Sequence, residues 1–174
     1  KEFEELVTSD NKRYLDFLFI IARTYLQINN LKEGQKYIVK GIEKEEDFCL
    51  IFYWPNEEIE LSIKKELKRF FKKKCKSIKE SKLGFYNGLL YFSFQLNALE
   101  DVKNHLNKLK KEFPEAKATY YWEIMGEVKQ RNYEKAKQLY KDSGYNQWEF
   151  IDLYNWQGIK LKRDEIKEIL LDKN

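Results

Sequence analysis

Three short frames recur along this chain at multiples of 34 residues. Asn30-Leu31, Ala98-Leu99 and Asn132-Tyr133 each close one helix-like stretch and open another. The first two stand 68 residues apart and the last two 34. A fixed period of this size marks stacked supersecondary units, each of which buries its apolar flank against the next. A chain built this way is expected to carry its function on a surface rather than in a reactive centre.

The segments around the frames read as helices. Leu15, Leu18, Ile21, Ala22, Tyr25 and Leu26 recur at three- and four-residue steps, which sets them on one helix face. Leu31, Gly34, Ile38 and Gly41 continue the rhythm beyond the first frame. Each glycine costs a helix about 1 kcal/mol against alanine, which predicts close approach of a neighbouring helix. Tyr86, Leu89, Leu90 and Phe94 precede the second frame, Leu99, Val102, Leu106 and Leu109 follow it, and Pro114 ends the unit. The third frame joins Trp122, Met125 and Gly126 to Tyr133, Ala136 and Tyr140. With 7 Gly and 2 Pro the chain is too poor in turn formers for an all-β fold. Its aromatic content of 16% supplies a packed core and argues against disorder.

These residues resemble the tetratricopeptide repeat, whose pattern W-x2-L-G-x2-Y is followed by a small residue, an aromatic and a late proline. The first copy matches at Leu18, Ile21, Ala22, Tyr25, Leu31, Gly34, Ile38 and Gly41, the third at Trp122, Met125, Gly126, Tyr133, Ala136 and Tyr140. In the third copy the step from Gly126 to Ala136 is two residues shorter than the family's spacing, so its turn or helix phase is expected to differ locally. The resemblance implies an all-α fold, an α-solenoid of antiparallel helix pairs in a right-handed superhelix, forming a single domain over 1–174. Its units fall at about 14–44, 45–82, 83–116, 117–145 and 146–174. The second is degenerate: a short helix near 45–54, a break at Pro55, and a long helix from about 57 to 80.

The same resemblance implies a non-enzymatic scaffold that binds a protein or peptide in its concave groove. By analogy the groove is lined by Phe19, Arg23 and Gln27, then Asn87, Tyr91 and Gln95, then Glu123, Glu127 and Gln130. That mixture of aromatic, amide and charged groups suits an extended peptide or a helix. An ordinary solvated surface explains the same residues equally well.

A basic helix stands apart. Residues 62–82 hold ten Lys or Arg and two Glu. Ile63, Leu67, Phe70, Phe71 and Ile78 form one stripe, with Lys65, Lys68, Lys72 and Lys76 opposite. Such a patch over 64–79 could hold nucleic acid or another acidic partner. The solvated side of an amphipathic helix is the plainer explanation, since no stacking aromatic shares the face. The net charge of +4 is too small to imply a polyanion by itself.

No catalytic grouping emerges, and no enzyme is expected. His105 is the only histidine, which excludes a His–His metal site within the chain. It stands between Asn104 and Leu106, off the expected core stripe, and is predicted to be exposed. Carboxylates cluster at helix starts, where they stabilise free N–H groups. There is no G-x-G-x-x-G or G-K-[ST] phosphate loop. The two glycines of "LGFYNGLL" are better explained by packing. No cofactor and no metal is expected. Cys49 and Cys75 read as buried free thiols.

No run of 18 apolar residues offers a membrane span. The chain opens on Lys1 rather than Met and reads as an excised or mature form, with a targeting segment or second domain left open upstream. Its Lys/Asn/Ile/Tyr-rich character suggests a bacterial source, and the expected compartment is the cytoplasm, with export left open. A rival reading is the peptide-sensing domain of a bacterial transcription regulator.

Overall fold

The computed structural model describes residues 11–45 and 59–144, with side chains from Tyr14 onward. Every regular element among them is an α-helix: α1 (Asn11–Gln27), α2 (Leu31–Lys44), α3 (Leu61–Ser77), α4 (Lys82–Gln95), α5 (Leu99–Glu112), α6 (Lys117–Lys129) and α7 (Tyr133–Asp142). The expected break at Pro55, the short helix near 45–54, the unit 146–174 and Cys49 lie outside the described residues.

Helices that follow one another in sequence pack on one another: α1 on α2, α3 on α4, α4 on α5, α5 on α6 and α6 on α7. The buried side chains form one hydrophobic cluster. Leu18, Ala22 and Leu26 supply the inward stripe of α1, and Ile38 and Ile42 that of α2. α3 buries Ile63, Leu67, Phe71 and Cys75, and α4 is buried without interruption from Gly84 to Phe94.

The turns joining α1–α2, α4–α5 and α6–α7 are one structure, built three times. Asn29, Asn97 and Arg131 each adopt a left-handed backbone, with φ of 59°, 52° and 62°. Each donates its N–H to the carbonyl three residues back: Leu26, Phe94 and Val128. The next residue in each case, Asn30, Ala98 or Asn132, donates to the carbonyl five residues back: Tyr25, Ser93 or Glu127. This pair of bonds closes a helix C-terminus and satisfies carbonyls that would otherwise lack partners. The same three residues then cap the following helix, receiving N–H bonds from Gly34, Val102 and Ala136. The 34-residue spacing seen in the sequence is therefore a spacing of identical turns. One more step of 34 from Asn29 falls on Ile63, which is buried within α3. At that step, then, the chain is helical and makes no such turn.

Of the two sources expected for the short step from Gly126 to Ala136, the turn is not one: the third turn matches the others, and the difference lies in where Gly126 stands along its helix. Counting back from the turn, Ile124 takes the place of Ala22 and Leu90, and all three are fully buried. Gly126 lies two residues further on, and the space where a Cβ would stand has no atom within 4 Å. It is not the small residue of a helix contact. Gly34 is: a Cβ there would lie 2.7 Å from Leu26 Cδ2 and 3.4 Å from the Ala22 carbonyl oxygen. At Gly88 it would run into the Phe71 ring, so α3 and α4 meet where a side chain is missing.

Candidate functional site

Two concavities open on either side of α5. The first lies between α5, α6 and α7 and encloses about 410 Å3. Leu99, Val102 and Leu106 recur at helical spacing and give it an apolar wall. Leu99 remains 40% exposed. Glu123 and Glu127 face that wall from α6. Lys110 donates to Glu123 at 2.6 Å, and Asn132 Nδ2 donates to Glu127 at 2.9 Å. Lys135 forms an ion pair with Glu127. Partial burial pushes the Glu127 carboxyl up, but the bonds from Lys135 and Asn132 outweigh it and hold the group below the usual range. Gly126 opens the middle of the cleft, because no side chain fills it.

The second is a groove of about 510 Å3 bordered by α3, the end of α4 and the start of α5. Lys65, Lys68, Arg69 and Lys72 line it from α3, with Leu61, Leu96 and Asp101. Lys68 forms an ion pair with Asp101, and Arg69 one with Glu66. The hydrogen bond from Lys68, helped by the charges of Lys68, His105 and Lys72, holds the Asp101 carboxyl below its usual value. Among the described residues Asp101 is the one carboxylate lining the groove, against four cations.

His105 is not exposed, contrary to the sequence expectation. Only 6% of it is accessible. The inward stripe of α5 runs through Val102, His105 and Leu109, while Leu106 is half-buried and turned to the cleft. Among the described residues its Nε2 has no hydrogen-bond partner. Burial lowers its pKa. Asp101 opposes that shift, and Lys72, Lys108 and Lys68 reinforce it.

The expected groove residues are not brought together as one surface. Asn87 and Tyr91 are core residues, 0% and 2% accessible. Trp122 Nε1 donates to Asn87 Oδ1 at 3.0 Å, joining α6 to α4 inside the core. Neither can line an open groove. The reason is that α4 is apolar on all sides and enclosed by its neighbours, so it has no solvated face. Phe19 and Arg23 are half-buried, Gln27 is exposed and Gln95 half-buried. Glu123, Glu127 and Gln130 do share the α5–α7 cleft. They are not in register with Asn87 and Tyr91, however. The turn sets Tyr121 and Met125 at those positions, and both are buried. Of the basic residues, Lys65, Lys68 and Lys72 line the second groove, and Lys76 is exposed outside it.

Sequence reasoning missed Arg69, Leu61 and Leu96 beside those lysines. Arg69 follows Lys65 by one helical turn and was legible. Asp101 lies 33 residues from its partner Lys68 and had no local signal. The thiol of Cys75 is free and buried, and burial raises its pKa to about 12, so it is an inert core group. Among the described residues no three His, Cys, Asp or Glu side chains are placed to hold a metal ion, and no helix is long and apolar enough to cross a membrane. No family model matches the chain, and no curated protein or solved structure matches it.

Proposed function

We propose that the chain is a non-enzymatic scaffold of tetratricopeptide-like helix pairs, stacked in a right-handed row, which docks a segment of a protein partner in the α5–α7 cleft. The observation that carries this reading is the turn repeated at 34-residue multiples. A geometry repeated along a chain sets successive helix pairs at constant offsets and leaves clefts between them, as in helical repeat proteins. Such clefts bind by shape and side-chain chemistry, without a reactive group.

The cleft has the means to do so. Its wall of Leu99, Val102 and Leu106 can bury an apolar anchor, which supplies most of the affinity at sites of this kind. Glu123, Glu127, Asn132 and Gln130 offer acceptors and donors that fix the register of a bound backbone. The carboxylates are already paired with Lys110 and Lys135, so a partner's charges exchange with existing ion pairs rather than being stripped of water alone.

Gly126→Gln tests this. The new side chain enters open space in the cleft, and the helix gains about 0.5–1 kcal/mol from losing a glycine. The expected result is a protein at least as stable as wild type that no longer retains partners recovered with wild type from the source organism. Retention of the same partners by a stably folded Gly126→Gln variant sinks the reading.

A further inference from the structure

The groove on the other side of α5 differs from the cleft in one respect that selects its occupant: its charge is nearly all of one sign. Four cations line it, against the single carboxylate of Asp101 among its described lining residues; Lys68 is paired with Asp101 and Arg69 with Glu66, at the groove's edge. Lys65 and Lys72 are exposed and have no ion pair among the described residues. Side chains at 65, 69 and 72 recur along one face of α3 over about 10 Å. The groove is not purely polar. Leu61, 59% exposed, stands at one end, and Leu96 of the α4 terminus borders it.

We propose that this groove is a second docking site, for an acidic amphipathic polypeptide segment. Its carboxylates pair with Lys65, Arg69 and Lys72, and one apolar side chain lies between Leu61 and Leu96. A carboxylate already occupies the groove, since Asp101 is held there by Lys68. A helical segment carrying Glu or Asp at i, i+4 and i+7 repeats the cation spacing. A nucleic acid fits less well. Among the described residues no aromatic side chain lines the groove to stack a base, and the exposed leucine beside the cations is matched by an apolar side chain rather than by a phosphate backbone. Docking here is independent of the α5–α7 cleft, because the two sites use opposite faces of α5.

The test uses the full chain and a fluorescent alanine-based helical peptide of about fourteen residues, with Glu at i, i+4 and i+7 and one Leu between them. Anisotropy titrations compare it with a Gln-for-Glu control, a Leu-free version and a dT oligonucleotide. The acidic peptide should bind wild type at least about tenfold more tightly than the Gln control. Lys65→Glu/Lys72→Glu, both at exposed positions, should lose about tenfold for that peptide while its circular dichroism and melting temperature stay near wild type. Leu61→Ala should cost about threefold, and only for the peptide that carries Leu. His105 is the sole histidine and senses the charges of Asp101, Lys68 and Lys72, so its imidazole NMR signal should move with the acidic peptide and not with the control. Failure to bind, equal binding of the Glu and Gln peptides, or tighter binding of dT with no response to Leu61→Ala each overturns the proposal. Gly126→Gln should leave this binding unchanged, which keeps its outcome separate from that of the α5–α7 cleft.

Discussion

α3 and α4 lie side by side and bury different shares of themselves. α3 turns one stripe to the core, Ile63, Leu67, Phe71 and Cys75, and presents lysine and arginine elsewhere. α4 has no outer face from Gly84 to Phe94. The difference is one of position. α4 packs against α3 on one side and α5 on another, and Trp122 of α6 reaches its Asn87. A helix enclosed in this way can carry Asn, Ser or Tyr without any of them facing water, provided their polar atoms find partners inside. Ser93 Oγ donates to the Leu89 carbonyl at 2.8 Å, and Asn87 accepts from Trp122. On α3 a polar residue does mark the surface. The same letter therefore has opposite meanings on two adjacent helices.

The sharpest way to break the comparison is at the ring both helices share. Phe71 is fully buried and lies against Phe70, Phe85 and Phe92, with ring centroids 5.3, 6.3 and 5.7 Å away. Phe71→Ala should cost about 3–5 kcal/mol of unfolding free energy, read from urea denaturation. Lys65→Ala, on the outer face of the same helix, should stay within about 0.5 kcal/mol of wild type. If the two variants melt alike, α3 has no inner and outer face.

Asn87→Ala comes next. It leaves the buried Trp122 N–H without its acceptor and should cost about 1–3 kcal/mol. A change near zero in the same assay would return Asn87 to the surface. Gly88→Ala opposes two effects. The helix gains about 1 kcal/mol from losing a glycine, but the new methyl runs into the Phe71 ring, and overpacking costs about 1–3 kcal/mol. Because that ring is boxed in by three others, the clash wins and net destabilisation is expected. A stabilised Gly88→Ala protein would mean that α3 and α4 do not meet at this point.

The smallest expected effect is a pH slope. The folded pKa of His105 lies below its ordinary value of about 6.5. As the pH falls the unfolded chain takes up that proton first. The contribution of the neutral imidazole is present in full above about pH 6.5 and is lost as the pH falls towards the lower folded value. Asp101, Glu112 and Glu127 are also depressed, but their contributions are lost only further down, in the carboxylate range. Stability measured between pH 7 and 5 should therefore decline in wild type, and the decline should flatten in His105→Gln. Equal slopes would place His105 in solvent.

Where the sequence was legible, the physics was local. The repeated turn depends on one residue tolerating a left-handed backbone and on hydrogen bonds within six residues, so its period can be read from the chain. The inward stripe of α1 follows from helical spacing alone. So does the cationic row on α3, since its residues are neighbours on one helix. The position of His105 was misread because Leu106 is the more apolar neighbour, and only the packing of α5 selects 105 over 106.

By itself, the sequence determined that the described elements would be helices, where three turns would fall, and which side of α3 would be charged. Each follows from backbone propensity and from side-chain spacing along one element. Only the tertiary structure decided that α4 would be enclosed, that Asn87 and Tyr91 would be core, that Glu123 and Glu127 would share a cleft with Lys110 and Lys135, and that Asp101 would enter the basic groove. Those outcomes depend on how neighbouring helices are rotated against one another. That rotation is set by contacts such as Phe71 on Gly88, between residues too distant in the chain to leave a local pattern.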